Sequence, residues 1–383
     1  MSSPTNIANT TNIADPKVLL RVVNRVAIIT LNRPAALNSL SNEMIHELAR
    51  LVEQCRVNDN IVALVLRGAG EKGFCAGGDV RELYHSVTSG DGNWKQFFVD
   101  EYRLDYALHI FPKPVVALMD GIVMGGGMGL AQGADIRVVT ERTKMAMPET
   151  RIGFIPDVGA TRFLNAMSLE YALYVGLTGI TLSGPDAVRL RLADLCVPSS
   201  WLATFEERLS HMSTNGDLLE SLRNVFEPPL NVMPRALLAT ASQLILRHFD
   251  RFSNIERTVA TLQRDLGGDP PREVRQWLQT TLDAMRSHSP TMLYVTREAL
   301  IRGRQMTLAE CFRMELSIGH RAIEDGDFRD GVRALLVNKD NRPRWTPATL
   351  HEVRPERVKH FLTSPWRIDT HPLADLGVDF VAN

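Results

Sequence analysis

Phe74-Cys75-Ala76-Gly77-Gly78-Asp79 and Met124-Gly125-Gly126-Gly127-Met128-Gly129 are the stretches whose reading decides the fold. Each follows an apolar run, Val62 to Leu66 and Val115 to Leu118, and each leads into sequence compatible with a helix. A strand that passes through glycine into a helix presents unpaired backbone N–H groups at the positive end of the helix dipole, where glycine lets a ligand come close. A pair of such segments predicts amides converging on one carbonyl oxygen.

Glycine-rich loops after strands often make only tight turns, so nucleotide motifs have to be tested first. The dinucleotide fingerprint fails, because after Gly127 and Gly129 the third glycine should fall where Gln132 stands, and Gly133 comes one residue late. No Lys-Ser or Lys-Thr pair follows either loop, which argues against a nucleotide P-loop.

The carboxylates Glu149 and Asp157 follow, set among Met147, Pro148, Ile152, Phe154, Ile155 and Pro156, with Arg151 the opposite charge close in sequence. Lost solvent and a neighbouring like charge both raise a carboxylate's pKa, so this pair suits proton transfer near neutral pH. A pair of solvated surface acids is the competing reading. Glu101 lies with Phe97, Phe98, Tyr102, Leu104 and Leu108 in a segment expected to be an amphipathic helix. Cys75, with His85 after it, invites a nucleophile reading, but nothing sets a base against the thiol, and a small buried cysteine is expected.

The 383 residues, 44% of them hydrophobic, suffice for one large domain with an appendage or for two domains. Lysine and arginine number 43 against 44 acidic residues, so there is no general electrostatic footprint for nucleic acid. No apolar run approaches the roughly 20 residues that cross a bilayer, so no membrane partner is expected. The four cysteines lack metal-ligand spacing, so neither zinc nor a disulfide framework is expected. The stretch from Met1 to Pro16 is rich in Ser, Thr and Asn and holds no Arg or Lys, and Val381-Ala382-Asn383 is no peroxisomal address. A cytoplasmic location is the expectation.

Along the chain, Val18 to Val23 and Val26 to Leu31 read as a hairpin joined by Asn24-Arg25. Asn42 to Arg56 reads as a helix capped by Ser41, with Ile45, Leu48, Ala49 and Val52 on one face. From Trp201 to Ser289 the pattern is helical and charged, with a loop at Gly267 to Pro271, and Met292 to Ile323 reads as helical too.

Ile29-Thr30-Leu31-Asn32-Arg33-Pro34 with Leu37-Asn38-Ser39-Leu40, the two glycine segments and Pro148-Glu149 resemble the crotonase (enoyl-CoA hydratase/isomerase) superfamily over residues 17 to 200, and Asp327 to Ala334 resembles it again. The resemblance implies an α/β fold, a spiral of repeated ββα units, with a C-terminal helical region closing over an acyl-CoA site. It implies a core at 17–200, a helical region covering the site at 201–340 and an extension at 341–383. It also implies that Gly78 and Gly126 form the oxyanion hole, with Ala76 and Gly125 beside them.

Hydratases of this superfamily carry a second glutamate two residues beyond the last glycine of the Gly-Gly-Gly turn, where this chain has Gly129, and a glycine where it has Asp157. Glycine has no proton to give. The combination Pro148-Glu149 with Ile155-Pro156-Asp157-Val158-Gly159 is similar to the thioester-cleaving 3-hydroxyisobutyryl-CoA hydrolase branch, as are Phe97-Phe98-Val99-Asp100-Glu101-Tyr102 and Pro343-Arg344-Trp345-Thr346-Pro347. By that resemblance Glu149 and Asp157 are catalytic, Glu101 meets the substrate, coenzyme A arrives as part of the substrate, no metal or other cofactor is needed, and a homo-oligomer is in keeping with related folds. A hydratase or isomerase, another crotonase chemistry, and a non-catalytic acyl-CoA-binding or RNA-associated scaffold are the alternatives. The space beside Gly129 is expected to hold the acyl substituent or Met124.

Overall fold

The computed structural model describes residues 16–229 and 234–378; the readings of the stretch before Pro16 and of Val381-Ala382-Asn383 lie outside them. Val18–Val23 (β1) and Val26–Leu31 (β2) pair antiparallel, and the turn between them holds Asn24 and Arg25 at φ of 46° and 67°. Two consecutive left-handed residues match a two-residue turn whose twist suits the strands. The Asn24 side chain donates to the carbonyl oxygens of Leu209 and Met212, tying the hairpin to a later helix. Asn42–Val57 (α1) starts as expected, with the Ser41 side chain accepting the Met44 N–H.

A repeating unit then runs through the chain. Ala63–Gly68 (β3) is followed by Gly73–Cys75 (β4) and the helices Val80–Ser89 (α2) and Asn93–His109 (α3). Val115–Met119 (β5), Ile122–Met124 (β6) and Gly126–Gln132 (α4) repeat the order, and Ile136–Thr140 (β7) with Lys144–Ala146 (β8) repeats it again before a 3₁₀ turn at Glu149–Ile152. Leu182–Ser183 (β9) and Leu195–Val197 (β10) complete the strands. The first strand of each unit enters a six-stranded sheet ordered β1-β2-β3-β5-β7-β10, and the second enters a four-stranded sheet ordered β4-β6-β8-β9. This is the expected spiral of ββα units.

What positions a site is the small sheet. β4, β6 and β8 are parallel neighbours, so their C-terminal ends share one side and the loops leaving them emerge together. Those loops begin at Ala76, Gly125 and Met147, the segments singled out from the sequence.

Apart from the exposed edge strand β1, the large sheet is buried on both faces, which is why its parallel strands read as continuous apolar runs. Ala27, Ile29, Leu64 and Leu66 face the main core, while Ile28, Val65 and Val138 pack with Phe205, Leu222 and Phe226. The helices Phe205–Ser210 and Leu218–Phe226 thus back the sheet away from the cavity, and from the later chain Phe328, Leu335 and Leu336 line it. The stretch Met292 to Ile323 resolves into two helices, Pro290–Gly303 and Leu308–Glu324, the second opened by Thr307 and Glu310, which cap each other's backbone.

Gly127 fixes α4 against β4, since a Cβ there would lie 2.5 Å from the Cys75 carbonyl oxygen and 2.8 Å from the Cys75 Cβ. Gly127→Ala is therefore expected to lower the unfolding free energy by about 1–3 kcal/mol, measured by denaturant titration. A parental midpoint would show that this close approach does not hold the second loop.

Candidate active site

The three loops enclose a cavity of about 310 Å³, and Glu149, Asp157, Gly78, Gly126, Glu101, Ala76 and Gly125 all border it. Gly77 sets the first loop directly on the second. Its φ is +94°, and a Cβ there would meet the Met124 carbonyl oxygen at 3.0 Å and the Gly126 nitrogen at 3.3 Å. Among the described residues neither the Gly78 nor the Gly126 amide donates a hydrogen bond, and Gly126 is the first residue of α4. Both N–H groups remain available beside the cavity.

Glu149 starts the 3₁₀ turn, and its Oε1 lies 3.1 Å from where a Cβ on Gly125 would stand, so glycine there leaves room for the carboxyl. Burial pushes the Glu149 carboxyl well above the usual range, and the charge of Asp157 adds to it. Burial also lifts Asp157 to about 7, against the pull of the Tyr102 hydroxyl, which donates to its Oδ2 at 2.6 Å. Glu101 is 2% exposed, its Oε1 sits where a Cβ on Gly126 would go, and burial followed by Asp157 raises its carboxyl as well. Acids that hold protons near neutral pH are suited to moving them.

Three side chains escaped sequence reasoning. Tyr102, fully buried on α3, holds Asp157. Glu315, on the helix Leu308–Glu324, accepts the amide hydrogens of Gly159 and Thr161 at 2.7 Å each and the Thr161 hydroxyl. It pins a turn in which Val158 takes φ of 54°, a rare conformation for a β-branched residue, next to Asp157. Asp105 is the third. Its carboxyl fills the space beside Gly129, where a Cβ would overlap Asp105 Oδ2 and lie 2.7 Å from the Val158 Cβ. The expectation that Met124 or an acyl group occupies that space is therefore corrected, and no glutamate fits at position 129. Glu315 reaches the site from more than 150 residues away in sequence, and Asp105 stands one helical turn beyond Glu101, where nothing in the sequence marks Gly129 as its neighbour. Cys75 is fully buried, which pushes its thiol up to about 12, the inert state expected of it.

Fold and site together define a spiral α/β protein with free amides facing a buried acid pair. A family model described as enoyl-CoA hydratase/isomerase matches residues 26–362, and the chain belongs to that family. It is similar to the 3-hydroxyisobutyryl-CoA hydrolase, mitochondrial, of Gallus gallus, 36% identical over 348 residues that cover 89% of this chain and 87% of the relative. It is also similar to the small ribosomal subunit protein mS47 of Neurospora crassa, 33% identical over 88% of this chain and 69% of the relative. Among solved structures, a carnitinyl-CoA dehydratase from Mycobacterium thermoresistibile superposes with a TM-score of 0.82 at 34% identity, covering 94% of this chain and 99% of the other. An enoyl-CoA hydratase from Rhodobacter sphaeroides does so with a TM-score of 0.81 at 32% identity, covering 91% and 98%. No helix among the described residues is long and apolar enough to cross a membrane.

Because the folded-state value of Asp157, about 7, lies above the ordinary aspartate value of 3.8, the folded protein holds this proton more tightly than the unfolded chain. Its contribution is present at pH 4 and lost as pH rises through about 7. Asp157→Asn should therefore gain stability relative to the parent between pH 5 and 8.5, by about 2–4 kcal/mol. Parallel stability-versus-pH curves for the two proteins would count against a proton-holding Asp157.

Proposed function

We propose that the chain hydrolyses the thioester of a short, branched 3-hydroxyacyl-CoA, 3-hydroxyisobutyryl-CoA first among them, to the free acid and coenzyme A. The observation that carries this reading is the meeting of Glu149 and Asp157 with the undonated amides of Gly78 and Gly126 around one cavity. The names of the Gallus gallus enzyme and its similar relatives support the substrate.

In this mechanism the thioester oxygen lies between the two amides, which stabilise the negative charge of the tetrahedral intermediate; one such donor is worth on the order of 3 kcal/mol in the barrier. Glu149 either takes a proton from the attacking water or attacks the carbonyl itself to form an anhydride. Asp157, with a value near 7, holds a proton or gives one up at neutral pH, so it can orient the acyl hydroxyl or the water and protonate the departing thiolate. Val80, Leu83, Phe97, Phe98 and Phe328 give the cavity apolar walls that suit a small branched chain. The chemistry draws on these side chains and amides, with coenzyme A entering on the substrate.

Hydration or dehydration of an acyl-CoA is the second reading, favoured by the titles of the two superposed structures. Against it, position 129 has no room for an acid, and Asp105, which fills that space, does not border the cavity. A scaffold role, suggested by the ribosomal relative, leaves the acid pair without a purpose. The division at residues 200 and 340, a homo-oligomer and a cytoplasmic location stay within the proposal, the last against the word mitochondrial in the name of the Gallus gallus relative.

Glu149→Gln is expected to cut free-thiol release from 3-hydroxyisobutyryl-CoA by about 10²–10⁴-fold while the ester still binds. Near-parental release would remove Glu149 from the mechanism, and crotonyl-CoA hydration by the parent without thiol release would replace the hydrolase reading with the second one.

A further inference from the structure

Helix α3 carries Glu101, Asp105 and His109 at intervals of four residues, which sets them on one face, a turn apart. Glu101 borders the cavity, Asp105 has no exposed surface, and His109 is partly exposed. The stripe leads from the cavity toward the exterior. Along it, Glu101 Oε1, both Asp105 oxygens and His109 Nε2 are buried atoms with no hydrogen-bond partner among the described residues.

Packing alone does not call for this. A leucine at position 105 would fill the space beside Gly129 and Val158 without the cost of burying a carboxyl that nothing bonds. An unbonded buried carboxyl is least costly when it carries a proton.

The charged and titratable groups around the stripe have been placed by several elements. Asp157 comes from the turn before Ala160, Glu315 from the helix Leu308–Glu324, Tyr102 from α3 itself and Cys75 from β4. Burial, then Glu101, Asp157 and Glu315, hold the Asp105 carboxyl well above the ordinary range. At the far end burial and the charge of Arg137 on β7 push His109 down to about 4, so its imidazole is neutral and receives a proton only in passing. The described residues include no group of three or more His, Cys, Asp or Glu arranged to hold a metal ion, so a cation site does not explain the cluster.

We propose that Glu101, Asp105 and His109 form a proton relay from the cavity to solvent, with Asp105 as its middle member. This rests on the hydrolase reading above. In that reaction a C–O bond to water forms and the C–S bond breaks. One water proton ends on the leaving sulfur as thiol, the other is lost when the product acid ionises, and no electrons pass to another reactant. The lost proton enters at Glu101. Because none of these atoms bonds another directly, the transfers run through bridging water: Asp105 receives a proton on one oxygen from the side of Glu101 as it gives its own toward His109 Nε2, and the imidazole releases its Nδ1 proton to solvent. Each side chain ends as it began, apart from the tautomer of His109, which resets through solvent.

The test compares the parent, Asp105→Asn and His109→Ala in thiol release, in light and heavy water. Asparagine keeps the shape of aspartate without a transferable proton, and alanine removes the imidazole from a partly exposed position. Both variants are expected to lose on the order of tenfold in kcat with KM within about twofold, and to show a larger solvent deuterium effect than the parent. Imidazole buffer should restore His109→Ala along a saturation curve, an effect that a merely structural histidine would not show. If Asp105→Asn does not fold, the imidazole response of His109→Ala decides alone. Folded variants with parental kcat and isotope effect, or a His109→Ala loss indifferent to imidazole, overturn the relay. A parent that releases no thiol overturns the hydrolase reading and the relay together, whereas a hydrolytic parent with indifferent variants overturns the relay only.

Discussion

Glu101, Asp105, Glu149, Asp157 and Glu315 are all buried around one point of the structure, and the charges that act on Glu101, Asp105 and Glu149 are one another and their fellow carboxylates. Among the described residues, no arginine or lysine is one of the groups that offset them. Like charges this close cannot all ionise in a buried site, so the cluster has to share protons. Much of the surrounding architecture serves that constraint. The Tyr102 hydroxyl stabilises a charge on Asp157, donors from Gly159 and Thr161 surround Glu315, and Gly126 and Gly129 leave room for the carboxyls of Glu101 and Asp105.

The fold makes such crowding achievable because it delivers three loops to one place. Parallel β4, β6 and β8 end side by side, and the chain leaving each contributes something different: an amide at Gly78, an amide at Gly126 and a carboxyl at Glu149. The fourth contribution, the turn carrying Asp157, costs backbone strain at Val158 and is held from a distant helix by Glu315. Strain at a substrate-facing turn, opposed by buried hydrogen bonds, is a way of keeping an acid in one position. The C-terminal part of the chain completes the enclosure: Asp327 accepts the Ser289 hydroxyl and the Thr346 amide, while neighbouring Phe328 meets Phe154 at 5.5 Å between ring centres.

Legibility followed the range of the interactions. The Asn24-Arg25 hairpin, the capped helix after Ser41 and the two glycine loops are written within a few residues, and local chemistry is enough to read them. Glu149, Asp157 and Glu101 were legible because each stands in a short motif whose family likeness is specific. Asp105 was not, since its partner is the missing side chain of Gly129, in the next helix beyond two strands. Glu315 bonds to backbone more than 150 residues away, which no pattern in one sequence records. The break between Gly303 and Leu308 is marked by the capping pair Thr307 and Glu310, but the continuous helical pattern on either side hid it from the sequence reading.

Infrared difference spectroscopy of the free protein in light and heavy water, taken between pH 5 and 9, tests the shared-proton cluster most directly. Protonated carboxyl bands are expected to persist at pH 7, to move with deuterium, and to lose intensity in Asp105→Asn and Glu101→Gln. A free protein at pH 7 with no protonated-carboxyl band, in which all of these acids are ionised, would contradict the account.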